Sequence, residues 1–249
     1  MKTRIHSISD RGAYRPNNED SFKYGECFNG DLIWLVIADG MGGHLAGEVA
    51  SQILVDEIEH SICAIDSPES VDWLCWLEIE MNRANNKILL NSHKKPEQKG
   101  MGTTGVVAVI YAGYCYLGWV GDSRCYLYEA KNNHLAQLTV DHTMVQALLD
   151  KGAITQKEAD TSNNKNMLSK AIGIRKGVEV DVKSLPIHIS ASLLLSTDGL
   201  HDSLSSQELS EFMQSLSAGD DVCQKMVARA IKNGSKDNIT LVSIKLLSE

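Results

Sequence analysis

Apolar positions recur along this chain in two rhythms. Alternating or continuous apolar runs rich in Val, Ile, Tyr and Trp predict strands at 2–9, 32–38, 106–111, 115–120, 125–129, 134–138, 180–185, 192–196 and 239–246. A helical rhythm appears at 47–62, where Val49, Ile53, Leu54, Ile58 and Ile62 share one face, and again at 71–92. Further helices are expected at 206–215 and 220–233. Strands come in consecutive pairs and the two long helices are neighbours. That order departs from the strand-helix alternation of a parallel-sheet fold and favours antiparallel sheets with helices packed outside.

The stretch 100–121 carries no charge and approaches the roughly 20 residues of a membrane helix. Ala112-Gly113 punctuates it, however, and both halves have strand composition. It reads as two buried strands joined by a tight turn. The chain shows no repeat, low-complexity tract or linker, so its 249 residues are expected to form a single domain, 1–249.

Composition narrows the function. With 43% apolar and 22% charged residues the chain reads as an ordinary soluble globule. A formal net charge of −8 opposes binding to nucleic acid or an anionic membrane. Six cysteines, at 27, 63, 75, 115, 125 and 223, lack the close spacings of zinc or redox motifs. They suit a reducing compartment, and the first ten residues lack the apolar run of a signal peptide, so a cytoplasmic location is expected.

Part of the acidity sits in a recurrent context. Asp39 ends the apolar strand 32–38 and opens Asp39-Gly40-Met41-Gly42-Gly43-His44, whose glycines permit close backbone approach to a ligand. Asp122 lies in Gly121-Asp122-Ser123-Arg124 between two strands, Asp198 follows the apolar run 193–197, and Asp237 precedes the strand at Ile239. Any one of these would pass as a turn or capping residue. Four at strand margins can be gathered by antiparallel strands into one acidic cluster. Such a cluster repels itself unless cations occupy it, and oxygen ligands select magnesium or manganese over zinc.

The ordered set Gly12-x-x-Arg15-x-x-Asn18-Glu19-Asp20, Asp39 to His44, Gly102-Thr103-Thr104, Gly121 to Arg124, Asp141-His142-Thr143, Ser196-Thr197-Asp198-Gly199-Leu200 and Asp237-Asn238-Ile239-Thr240 resembles the metal-dependent, or type 2C, protein phosphatases from about Ile5 to Ile244. The resemblance implies an α+β fold, a four-layer α-β-β-α sandwich with two central antiparallel β-sheets. It implies a bacterial-type enzyme that hydrolyses phosphoserine and phosphothreonine in proteins, opposing a serine/threonine kinase and acting as a monomer. By the family pattern Asp39 bridges two Mn²⁺ or Mg²⁺ ions, with the Gly40 carbonyl as a further ligand. Asp198 and Asp237 hold the first ion, and Glu19 and Asp20 hold the second, directly or through water. Asp122 with Asp198 holds the third ion of bacterial-type members, and Arg15 grips the phosphate. A cation pair can lower the pKa of a shared water and aim hydroxide in line at phosphorus, so no side-chain nucleophile is needed. A flap subdomain is expected at about 141–170, where 162–166 is more polar than the His-Pro sequence common in relatives.

His44 is open to three readings: leaving-group acid, substrate contact or helix opening, because Met41 stands where some relatives place a histidine directly after Asp-Gly. Two motifs are set aside. Gly100-x-Gly102-x-x-Gly105 has dinucleotide-binding spacing but precedes a strand rather than a helix. Asn238-Ile239-Thr240 matches a glycosylation acceptor yet overlaps the proposed metal motif. The competing functions are a catalytically dead phosphoprotein-binding scaffold, which would lack a metal aspartate, and a phosphatase for small phosphorylated metabolites.

Overall fold

The computed structural model describes residues 2–42, 46–160, 162, 164–216 and 222–247. The strands are β1 (Lys2–Asp10), β2 (Asp20–Cys27), β3 (Leu32–Met41), β4 (Gly102–Thr103), β5 (Gly105–Tyr111), β6 (Tyr114–Val120), β7 (Arg124–Glu129), β8 (His134–Gln137), β9 (Asp181–Pro186), β10 (Ala191–Ser196) and β11 (Ile239–Leu247). The helices are α1 (Gly47–Cys63), α2 (Trp73–Lys94), α3 (Met144–Asp150), α4 (Gln156–Asp160), α5 (Asp198–His201), α6 (Ser206–Ser215) and α7 (Val222–Lys232).

Two antiparallel sheets form, in the orders β1-β11-β10-β7-β8 and β2-β3-β5-β6-β9, with β4 added beside β3. The apolar run of β3 shows why they stack. Its odd positions Ile33, Leu35 and Ile37 meet Leu193, Leu195, Val242 and Ile244 of the other sheet. Its even positions Trp34, Val36 and Ala38 meet Leu54 and Ile58 of α1 and Leu77 and Met81 of α2. A strand buried on both faces needs no polar alternation. On the far side Leu194 and Leu241 pack against Leu209 and Met213 of α6 and Met226 and Val227 of α7. The result is the expected four-layer α-β-β-α sandwich.

The uncharged stretch 100–121 forms β4, β5 and β6, and no described helix is long and apolar enough to cross a membrane. Ala112 and Gly113 both take positive φ, +50° and +81°, the twist that a two-residue hairpin turn requires. The strand β5 begins at Gly105 itself, so the glycine-rich spacing there opens no phosphate-binding helix.

β2, β4, α3, α4 and α5 were not predicted. β2 is an edge strand with largely half-buried positions. Its Gly25 leaves room for the Trp34 indole, which a Cβ would meet at 2.8 Å. The expected helix 220–233 is seen from Val222, its first two residues lying outside the described ones.

Candidate metal centre

Strand ends from both sheets meet along one edge of the sandwich. β2 and β3 pair so that Asp20 lies opposite Asp39. β10 ends at Ser196 between Leu241 of β11 and Arg124 of β7, which brings the turns carrying Asp198, Asp237 and Asp122 to the same edge. Thr197 N–H donates to Thr240 O at 3.0 Å and closes the β10 and β11 ends together.

Asp39 is held by its backbone. Its N–H donates to Thr104 Oγ1 at 3.0 Å, while its carbonyl accepts from Thr104 N at 2.9 Å and from Thr103 Oγ1 at 2.9 Å. Thr104 Oγ1 also lies 2.7 Å from Ser123 Oγ, which ties β3 to the turn of Asp122. Gly40 fits because a Cβ there would come within 2.2 Å of Gly47 O and 2.5 Å of Glu19 O.

A cleft of about 510 Å³ opens at this edge, lined by Arg15, Glu19, Asp39, Gly40, Asp122, Asp198 and Asp237 together with Met41, Gly42, Thr104, Asn166, Leu168 and Asn238. Asp20 stands behind this wall, where its Oδ2 accepts from Thr197 Oγ1 at 2.9 Å. The structure therefore separates the two acidic neighbours: Glu19 faces the cleft and Asp20 braces it. Arg15 Nη2 donates to Asp237 Oδ2 at 2.6 Å. His44 lies outside the described residues.

The carboxylates are buried enough to disturb one another. Burial, then neighbouring aspartates, raises Asp198 to about 7 and Asp122 to about 8, and holds Asp39 well above the usual carboxylate range. Burial likewise raises Asp20 to about 7, although hydrogen bonds from Thr240 and Thr197 oppose it. Asp198 Oδ1 is buried with no hydrogen-bond partner. An all-oxygen donor set, mutually repelling buried carboxylates and an orphaned carboxylate oxygen fit hard divalent cations. Among the described residues no three acidic, histidine or thiol groups already close on a single point; the donors face the cleft from separate strand ends.

A second cavity, of about 260 Å³, shares Asp122, Asn166 and Asp198 with the first and continues past Arg124, Asp141 and Asp202 beneath described residues of the segment that starts at Thr143, among them Gln146, Leu149 and Ala159. That segment is tied at its roots. Met144 N donates to Met167 O and Ser169 N to His142 O, each at 2.8 Å, and Lys165 pairs with Asp202 at 2.8 Å.

Sequence reasoning missed Asn238 as a structural hub. Its Oδ1 accepts from Glu19 N, and its Nδ2 donates to the carbonyls of Arg11 and Asn17, all at 2.9 Å. It also missed Thr104 and Asn166 as cleft walls. Only the motif position of Asn238 beside Asp237 hinted at a role. With its amide committed and 4% exposed, Asn238 cannot act as a glycan acceptor.

The family model described as "Protein phosphatase 2C" matches residues 15–231. The serine/threonine phosphatase Stp of Listeria welshimeri is 34% identical over 240 residues, covering 95% of this chain and 93% of that protein. The solved serine/threonine phosphatase PstP/Ppp of Mycobacterium tuberculosis is 33% identical, covers 99% of each chain and superposes with a TM-score of 0.88. A PstP catalytic domain solved with two manganese ions is 32% identical, again covers 99% of each chain and has a TM-score of 0.85.

Proposed function

The chain belongs to the protein phosphatase 2C family, and from that premise and its acidic cleft we infer that it is a metal-dependent serine/threonine protein phosphatase. The observation that carries this reading is the convergence of Asp39, Asp122, Asp198 and Asp237, from four separate strand ends, on one cleft that also holds Arg15. None of the metal aspartates whose loss marks a dead scaffold is missing.

In this reading Asp39 joins two Mn²⁺ or Mg²⁺ ions, with the Gly40 carbonyl beside it. Asp198 and Asp237 complete the first site. Glu19 serves the second directly from the cleft wall, while Asp20 supports it from behind. Asp122 and Asp198 serve a third ion. When bound, the paired ions activate water for in-line displacement at phosphorus and offset phosphate charge. Arg15, now paired with Asp237, would present its planar fork to the phosphate. Residues 141–170 act as a flap over the second cavity, and His44 remains the candidate acid for the leaving alkoxide. The whole chain, 1–249, works as a single cytoplasmic, monomeric domain on phosphoproteins, opposing a serine/threonine kinase.

The test is dephosphorylation of phosphoserine and phosphothreonine peptides beside a panel of phosphorylated metabolites. Activity should disappear in chelator, return with manganese or magnesium, and favour the peptides. Full turnover after verified metal removal would exclude the metal mechanism, and a preference for metabolites would exclude the protein substrate class.

A further inference from the structure

Asn85 is fully buried in α2, between Met81, Ala84 and Ile88, which anchor that helix in the core. A buried amide is costly unless both ends are bonded, and here both are. Its Oδ1 accepts from Gly173 N at 2.6 Å and its Nδ2 donates to Arg175 O at 3.0 Å. Asn82, one turn earlier on the same face, grips the other end of this loop: its Oδ1 accepts from Val178 N and its Nδ2 donates to Val178 O, both at 2.9 Å.

The loop end held by Asn85 leads to the metal centre. Ile172, next to Gly173, exchanges paired hydrogen bonds with Thr103, N to O at 2.9 Å in each direction. Thr103 Oγ1 in turn shares its one proton between the Asp39 carbonyl at 2.9 Å and the Thr104 carbonyl at 2.8 Å. A core helix is thus linked to the Asp39 peptide through Gly173, Ile172 and Thr103. The end held by Asn82 has no such connection through Thr103.

We propose that Asn85 is a positioning residue for the metal-bridging carboxylate, setting Asp39 through Thr103; the inference rests on the metal role proposed above for Asp39. Outer partners that orient metal ligands commonly govern affinity by about 10–100-fold. Calorimetric titration with manganese chloride, well below the melting temperature, tests it. Asn85→Ala should weaken manganese binding about tenfold. Asn82→Ala should lower the melting temperature yet leave the affinity near wild type. Asn85→Ala combined with Thr103→Val should bind no more weakly than Thr103→Val alone. Unchanged affinity in Asn85→Ala, an equal loss in Asn82→Ala, or additive losses in the double variant would each overturn the assignment.

If Asn85→Ala does not fold, Asn85→Asp, held protonated by burial, keeps the acceptor for Gly173 N and a donor to Arg175 O. Retained affinity is expected there, and a tenfold loss overturns the proposal. The two readings fail differently. Equal manganese binding by wild type and Asp39→Asn refutes the metal role of Asp39. Loss of binding in Asp39→Asn with full binding in Asn85→Ala refutes only the role of Asn85.

Discussion

At Asp39 backbone and side chain have separate tasks: the peptide is fixed by Thr103 and Thr104, and the carboxylate is left for ligands. Asp39→Asn should therefore keep the fold while weakening both core ions. Calorimetry and kinetics should show a loss beyond the roughly 10–100-fold typical of an outer partner, and near-wild-type values would mean that Asp39 is not the bridge. Arg15 lies 2.6 Å from Asp237 and can exchange that carboxylate for a phosphate. Arg15→Ala should raise KM with metal affinity retained, at a cost of about 1.5–3 kcal/mol in kcat/KM. An unchanged kcat/KM would reduce Arg15 to a surface charge. For His44 the leaving group decides. A serine alkoxide needs an acid far more than nitrophenolate does, so an acid role predicts a roughly 10²–10⁴-fold fall in phosphopeptide kcat for His44→Ala, with p-nitrophenyl phosphate nearly unaffected. Equal losses on both substrates would indicate positioning instead.

Among the elements, the fully buried strands and the edge strands β1, β8 and β9 were legible, while the edge strand β2 and the short helices were not. β3, β5, β6, β10 and β11 are nearly solid apolar runs because both their faces are covered. β2, with Lys23, Gly25 and Glu26 in an edge strand, and the short helices α3 and α4 over the second cavity lack such a period. The aspartates proposed to hold metal were readable because each sits at the margin of an apolar run. Asn238 was not, since its importance comes from folding against residues more than 200 positions away. It staples the start of β11 to segment 11–19, so Asn238→Ala removes three hydrogen bonds and leaves their partners unsatisfied. Thermal or denaturant unfolding should show a loss of about 2–4 kcal/mol, together with weaker manganese binding because Glu19 is freed. Unaltered stability would show that the staple is dispensable.

For the molecule as a whole, the acidic edge lowers stability until cations bind. Asp20 and Asp198 at about 7 and Asp122 at about 8 retain protons in the folded state that the unfolded chain releases near pH 4. The unfolded state then binds fewer protons, so stability falls as pH rises from about 4 to about 8. Metal-free protein should melt at a lower temperature at pH 8 than at pH 5. Manganese at a hundred times its dissociation constant should restore about 5–10 °C at the higher pH. A melting temperature that climbs with pH in chelator would contradict the burial of these groups. The pairing of β1 with β11, from Lys2 against Leu247 to Asp10 against Ile239, carries a consequence for synthesis. Contacts of such long sequence separation form late, and Asp237 enters the cleft only with β11. A nascent chain emerging from the ribosome therefore carries most of its acidic ligands without the last one. Until β11 joins the sheet the cleft lacks Asp237, so the proposed metal site is completed only when β1 and β11 meet.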